Sequence, residues 1–216
     1  PTPEGIISQI SLIKDVLITF EIPIFEKDGF EADDLIATIA EKSKKDCQVY
    51  ILSGDLDNLQ LVDEKIKVYT LGKGIKDSVL YDEEKVIERF GVKPLQMNDF
   101  KAMTGDVSDN VPGVPGIGKK TAADLIQKFG SLENLYQELS TDTAVLKPKV
   151  KEALKNNKDK AFLSLQLVKT RKDVELNFNL ESCKFGDFDQ GKVKAIFSEL
   201  DFNSLIDRLP TIVFDQ

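Results

Sequence analysis

Seven carboxylates stand in three short clusters along the sequence, and clustered carboxylates are able to hold metal ions and assist phosphate chemistry. The clusters occupy residues 31–34, 55–57 and 106–109. Their acidic members are Glu31, Asp33, Asp34, Asp55, Asp57, Asp106 and Asp109. Each cluster alone has an ordinary interpretation, because Asp and Glu cap helices and are common in turns. Three clusters in one chain favour the hypothesis that they converge on one site.

The chemistry of such a site follows from its donor atoms. Carboxylate oxygens without histidine or cysteine partners favour the hard cations Mg²⁺ and Mn²⁺. If the clusters converge, their negative charges repel one another strongly, and the group persists only with cations present. Two such ions, about 3.5–4 Å apart, drive in-line phosphoryl transfer by activating a water and stabilising the leaving oxygen. We therefore expect two or more Mg²⁺ or Mn²⁺ ions at these carboxylates.

The composition excludes several other kinds of site. The 216 residues include no histidine, which rules out Ser-His-Asp and Cys-His catalysis and histidine-ligated zinc. The two cysteines, Cys47 and Cys183, are far apart and predict neither a zinc knuckle nor a disulfide framework. Isolated thiols suit a reducing cytosol, so we expect a cytoplasmic protein. No apolar run approaches the roughly 20 residues that span a bilayer, so we expect no membrane partner.

A glycine-rich stretch at residues 111–123 predicts a second kind of site. Glycines allow positive φ and close approach of the backbone to a ligand, and the helix start at 119–121 offers free amides to a phosphate. Two lysines add positive charge there. This pattern indicates a hairpin between two helices that grips a nucleic-acid backbone, and its spacing does not fit a Walker A loop. The candidate DNA-binding residues are Gly113, Gly116, Gly118, Lys119, Lys120 and Thr121. A plain turn with a helix cap is the alternative.

The distribution of charge agrees with a divided surface. The chain carries a net charge of −8, yet residues 111–172 hold 12 basic and six acidic side chains. Solvated helical faces are the ordinary explanation of such a segment. The other explanation is that one part of the surface attracts polyanions and the acidic remainder attracts cations.

The elements that position these residues follow from hydrophobic periodicity. The first third alternates strand and helix, which predicts a parallel α/β sheet with Asp55 beyond the carboxyl end of a strand. After residue 82 the patterns are mostly helical. We expect two domains, a core over 1–105 and a helical part over 106–216 with the hairpin at 111–130. The predicted strands are 22–25, 49–52 and 66–71, and the predicted helices are 3–20 (capped by Thr2, with Pro3 at its first position), 32–42, 82–90, 94–104, 119–129, 131–139, 147–155 and 159–168.

Four sequence blocks together resemble one family. Glu-Ala-Asp-Asp at 31–34, Ser-Gly-Asp-Leu-Asp-Asn-Leu-Gln-Leu at 53–61, Gly-Asp-Val-Ser-Asp-Asn at 105–110 and Val-Pro-Gly-Val-Pro-Gly-Ile-Gly at 111–118 stand in the order and spacing of the 5′→3′ exonuclease domain of bacterial DNA polymerase I, of the flap endonuclease type. The resemblance extends to about Leu209. It implies a partial PIN-like, Rossmann-like α/β core with a helix–three-turn–helix subdomain. It also implies hydrolysis of phosphodiesters near 5′ ends in nicked or flapped, sometimes RNA-primed, DNA.

The resemblance also implies roles for single residues. Glu31, Asp33, Asp55 and Asp57 correspond to catalytic positions, and all seven carboxylates correspond to metal ligands or their near neighbours. The hairpin corresponds to the part of the family that holds duplex DNA behind the cleavage point and binds a monovalent cation, K⁺, through backbone oxygens. A monomer is expected, followed by a polymerase portion in the parent protein.

Two departures from the family pattern bear on activity. Three parts of the family pattern precede the position of Pro1. They are the first strand with its metal-binding Asp, a second acidic ligand, and the basic arch. Leu56 stands where the family often has Lys or Arg. We therefore expect weak or absent cleavage by the chain alone.

Two other functions remain open from the residues. A non-catalytic module that binds duplex DNA would keep the hairpin and bind with or without metal ions. A phosphotransferase that uses Asp55 as nucleophile would form an aspartyl-phosphate there.

Overall fold

The computed structural model describes residues 4–71 and 77–209. Most of the predicted elements are confirmed within these ranges, whereas the predicted cap at Thr2 and Pro3 lies outside them. The helices are α1 Glu4–Thr19, α2 Ala32–Ser43, α3 Glu83–Phe90, α4 Met97–Thr104, α5 Lys119–Phe129, α6 Leu132–Ser140, α7 Pro148–Asn156, α8 Lys158–Leu167, α9 Gln190–Glu199 and α10 Asn203–Ile206. The strands are β1 Val49–Leu52, β2 Ile66–Thr70 and β3 Val79–Tyr81, and 3₁₀ turns lie at Leu56–Leu61, Pro94–Gln96 and Leu180–Cys183.

The sheet of the described residues has the strand order β1-β2-β3. β1 runs parallel to β2, as predicted, with Val49 beside Ile66. β3 is antiparallel to β2, so the sheet is mixed. The predicted strand at 22–25 is wrong: Pro23 has no N–H to donate to a ladder, and this segment forms no strand in the structure. Three residues are too short a pattern to have predicted β3.

Contacts group the chain into two compact units, one at residues 30–174 and one at 1–29 with 175–216. The first contains the sheet and α2 to α8, around fully buried residues that include Leu59, Ile66 and Met103. In the second, the ring of Phe20 packs edge-on against Phe188, with 4.9 Å between centroids. The functional division at residue 105 that the sequence indicates stays a prediction.

The loop between α4 and α5 carries the third carboxylate cluster, and two glycines fix its shape. Gly105 and Gly113 lie at φ values of 73° and 64°, a region that favours glycine. They pack backbone against backbone, since a Cβ on Gly113 would lie 2.5 Å from the Gly105 nitrogen. The Gly113 N–H donates to the buried Ser164 hydroxyl at 3.0 Å. Paired backbone hydrogen bonds between Asp106 and Val111 close the loop.

We predict that Gly113→Ala destabilises the protein by at least about 3 kcal/mol, because it adds a backbone clash to an unfavourable φ. Urea unfolding measures the change. Gly116→Ala is the matched control, since Gly116 has a φ of 88° but open space where a Cβ would point. Its expected cost is about 1–2 kcal/mol. Equal costs for the two variants would contradict the role assigned to the Gly105–Gly113 contact.

Candidate metal centre

Six of the seven predicted carboxylates line one cavity of about 330 Å³. Val111 and residues 167–170 complete its lining. The six are Glu31, Asp33, Asp34, Asp55, Asp57 and Asp109. Asp106 lies in the adjoining cleft, and carboxylate oxygens of Asp57, Asp106 and Asp109 lie within 4.8 Å of one another. The structure therefore brings all three sequence clusters together.

The middle cluster is positioned by the turn that follows β1. The Ser53 hydroxyl accepts a hydrogen bond from the Asp55 N–H at 3.0 Å. The Asp55 carboxylate in turn accepts one from the Asp57 N–H at 2.9 Å, which caps the 3₁₀ turn Leu56–Leu61. Capping therefore uses one oxygen of Asp55, a residue that lines the cavity.

The first cluster begins α2. Asp33 accepts a hydrogen bond from the Asn58 amide at 3.2 Å, which links this helix to the 3₁₀ turn. Asp34 accepts one from the backbone N–H of Arg171 at 2.8 Å. Glu31 is exposed and makes no side-chain cap. One oxygen of Asp34 therefore holds the cavity wall that follows α8.

The third cluster is held by its own loop and by Lys101 of α4. One oxygen of Asp106 accepts from the Ser108 N–H at 3.0 Å, and the other lies 3.0 Å from the Lys101 Nζ. The same ammonium group contacts Asp57. Only 14% of the Lys101 side chain is exposed. Sequence reasoning missed this residue: it is the single basic residue of α4, but no local pattern marks its carboxylate partners.

The crowding of charges shifts the pKa values in two directions. Burial, with the nearby charges of Asp55 and Asp109, raises the pKa of Asp33, and burial raises that of Asp57 despite its contact with Lys101. Hydrogen bonds from Ser108 and Lys101 lower the pKa of Asp106 to about 2. Burial disfavours the charged form of Lys101, but its two carboxylate partners raise its pKa. Lys101 thus offsets part of the negative charge.

The hairpin before α5 is adjacent to this cluster. Lys119 lines the same cleft as Asp55, Asp57 and Asp106. Gly116, Gly118, Lys119 and Lys120 are exposed, and Thr121 is half-buried. No side chain caps α5 at Gly118, and the first-turn amides of a helix have no carbonyl of that helix to bond. Gly113 differs from the others because it is buried and its amide is bonded to Ser164.

We predict that Lys101→Met lowers the free energy of unfolding by about 1–2 kcal/mol at neutral pH in EDTA. The pKa of Asp106 is lower when folded, so its charge stabilises the protein above about pH 4 and that stabilisation is lost as the pH falls towards 2. The difference between variant and wild type should therefore shrink as the pH falls through this window. Urea unfolding at a series of pH values measures it.

Lys85→Met is the matched control, because Lys85 makes an exposed ion pair with Glu88 at 2.7 Å. Exposed pairs contribute little, so we expect no measurable change at any pH. A Lys101→Met protein as stable as the wild type at neutral pH would refute the charge balance described above.

Comparisons with known proteins agree with this geometry. A family model described as "5'-3' exonuclease, N-terminal resolvase-like domain" matches residues 1–91, and one described as "5'-3' exonuclease, C-terminal SAM fold" matches residues 92–191. DNA polymerase I of Bacillus caldotenax is 37% identical over 209 residues, which are 96% of this chain and 24% of that protein. The Bacillus subtilis enzyme is 38% identical over 209 residues. The chain spans about a quarter of the length of these relatives.

Solved structures give the same result. The T5 5'-exonuclease with bound zinc matches at a TM-score of 0.62 and 26% identity, covering 78% of this chain and 62% of that one. The catalytic core of Rad2 bound to a DNA substrate matches at 0.65 and 20% identity, covering 97% and 72%, which supports the fold alone. Among the residues that the structure describes, no helix is long and apolar enough to cross a membrane. From its matches and its gathered carboxylates, the chain belongs to the 5'-3' exonuclease family.

Proposed function

We propose that the chain is a structure-specific 5′ nuclease that hydrolyses phosphodiesters of nicked or flapped DNA with the aid of two divalent metal ions. The observation that carries this proposal is the convergence of carboxylates from three separate loops beside a basic hairpin. A protein that only binds DNA has no physical reason to gather carboxylates, since they repel one another and the phosphates of the ligand.

The donor set fits Mg²⁺ or Mn²⁺. Every candidate ligand is a carboxylate oxygen, and three such oxygens lie within 4.8 Å of one another. We assign Glu31, Asp33, Asp34 and Asp55 to one ion, and Asp57, Asp106 and Asp109 to the other. When bound, the ions would activate a water and stabilise charge on the leaving oxygen. Glu31, Asp33, Asp55 and Asp57 are the proposed catalytic residues.

This chain's own residues hold the carboxylates and the cavity wall in place. The capped turn at Asp55 and the ion pairs of Lys101 hold carboxylates in place before substrate arrives, so little reorganisation is needed during the reaction. The Asp34–Arg171 hydrogen bond fixes the wall that borders the cavity. Because Asp106 has a pKa of about 2, it stays an anion at every physiological pH.

We propose DNA as the partner, bound by backbone contacts at the hairpin. Lys119, Lys120 and the free amides at the start of α5 are suited to phosphates, and such contacts position a duplex without reading its sequence. The hairpin carbonyls are the proposed K⁺ site. In this proposal, residues 1–105 form the nuclease core and residues 106–216 form the helical DNA-binding part. The protein acts as a monomer. The named relatives are DNA polymerases, so removal of primers or displaced strands is the proposed role.

We predict that the chain cleaves a 5′-labelled flap duplex slowly with Mg²⁺ or Mn²⁺ and not with EDTA. Asp55→Asn should lower the rate at least about 100-fold, because several kcal/mol of charge stabilisation depend on the ions. Gel analysis of the products measures the rate. Asp187→Asn, which removes an exposed carboxylate far from the three clusters in sequence, should leave the rate within twofold.

The second candidate is the non-catalytic DNA-binding module, which the exposed basic hairpin favours. It predicts duplex binding in EDTA and no metal-dependent product under any condition. Binding without cleavage would therefore replace the nuclease proposal with this one.

We predict that Lys119→Ala with Lys120→Ala weakens binding to a nicked duplex about tenfold near 0.1 M salt. The slope of log affinity against log salt should fall by about 2, one for each lost phosphate contact. Fluorescence anisotropy without divalent ions measures both. Lys192→Ala with Lys194→Ala is the control, because it removes the same charge from two exposed lysines in the first turns of α9. Equal weakening by the two double variants would count against a localised DNA site.

A further inference from the structure

Asn58 is a buried polar residue that the proposed chemistry leaves without a role. It lies in the 3₁₀ turn Leu56–Leu61, and only 1% of its surface is exposed. Its side-chain amide donates to the Asp33 carboxylate at 3.2 Å and to the Ser53 hydroxyl at 3.3 Å. A single amide group therefore touches the first carboxylate cluster and the turn that carries the second.

The Ser53 hydroxyl extends this connection to Asp55. It accepts from the Asp55 N–H at 3.0 Å as well as from the Asn58 amide. Asp33 is therefore linked to the turn that carries Asp55 through one planar amide and one hydroxyl, both in the segment that follows β1. Among the described residues, no other hydrogen bond joins Asp33 to the cluster of Asp55, or Asp55 to the cluster of Asp33.

The other half of the Asn58 side chain makes no hydrogen bond, which points to a role for its donor atoms. Its Oδ1 is buried and has no hydrogen-bond partner among residues 4–71 and 77–209. Burying an unpaired acceptor is unfavourable, and an apolar side chain of similar size would avoid that cost. The reverse orientation of the amide would turn this oxygen towards the Asp33 carboxylate, which repels it.

We propose that Asn58 is a positioning residue of the metal centre, which aligns Asp33 with Asp55 so that both can hold the same divalent cation. This inference rests on the proposed function. Hydrogen-bond partners of ligating carboxylates orient them, and their loss typically costs 10–100-fold in metal affinity or activity. Asn58 touches neither substrate nor water in this role and acts only through Asp33 and Asp55.

The test compares the whole chain with Asn58→Leu, which keeps the volume and removes both donations. Mn²⁺ is titrated while the melting temperature of the protein is followed, and steady-state cleavage of a flap duplex gives kcat and KM. For Asn58→Leu we expect the Mn²⁺ concentration at half-maximal stabilisation to rise about tenfold. We expect kcat to fall at least as much, while KM for DNA stays within twofold, a separation that general loosening of the fold would not produce.

Asn98→Leu is the matched control. Asn98 is half-buried in α4, its Oδ1 is also buried without a partner among the described residues, and it lines neither of the cavities that contain the carboxylates. It should leave Mn²⁺ affinity and kcat within twofold. If Asn58→Leu does not fold in EDTA, the smaller Asn58→Ala makes the same comparison.

The outcomes separate the two proposals. A folded Asn58→Leu or Asn58→Ala protein with the Mn²⁺ affinity of the wild type overturns the positioning role and leaves the nuclease proposal intact. A wild-type protein that Mn²⁺ does not stabilise overturns the metal centre and this inference with it. Mn²⁺ binding decides the question even where cleavage is too slow to measure.

Discussion

Repulsion among seven carboxylates is the constraint on which the rest of this structure depends. Six of them line a cavity of about 330 Å³, and burial raises the pKa of Asp33 and Asp57 there. Such a group is held together only if the chain fixes each side chain and supplies positive charge. Backbone amides fix Asp34, Asp55 and Asp106, since each of these carboxylates accepts a hydrogen bond from a backbone N–H with one oxygen. Lys101 supplies part of the positive charge, and divalent ions would supply the rest.

The fold serves this requirement by bringing loops from distant parts of the chain to one place. The end of β1 supplies the middle cluster, the start of α2 supplies the first, and the loop after α4 supplies the third. Close packing of Gly105 on Gly113 keeps that third loop narrow, and it also sets the path of the chain into the hairpin. Two of the proposed metal ligands, Asp106 and Asp109, and the proposed DNA-binding hairpin are therefore parts of one continuous loop between α4 and α5.

Much of this arrangement could be predicted from the sequence, because it depends on local signals. Hydrophobic periodicity predicts α2, β1, β2 and most later helices. Residue type and clustering along the sequence single out all seven carboxylates as candidate ligands. Lys101 could not be predicted, since its role depends on the contact of α4 with a turn 44 residues earlier. The role of Asn58 could not be predicted for the same reason, because its segment has the sequence of an ordinary turn. The short strand β3 depended on a pairing partner that no local pattern specifies, whereas Pro23 was a local signal against the strand predicted at 22–25.

The central claim is that carboxylates from three loops hold two neighbouring divalent ions. Electron paramagnetic resonance of the protein during Mn²⁺ titration tests it most directly, because two ions about 3.5–4 Å apart are magnetically coupled and distant ions are not. The account predicts that two Mn²⁺ bind per chain and that a coupled spectrum grows as the second one binds. A single uncoupled Mn²⁺, or no binding at millimolar concentrations, would contradict it.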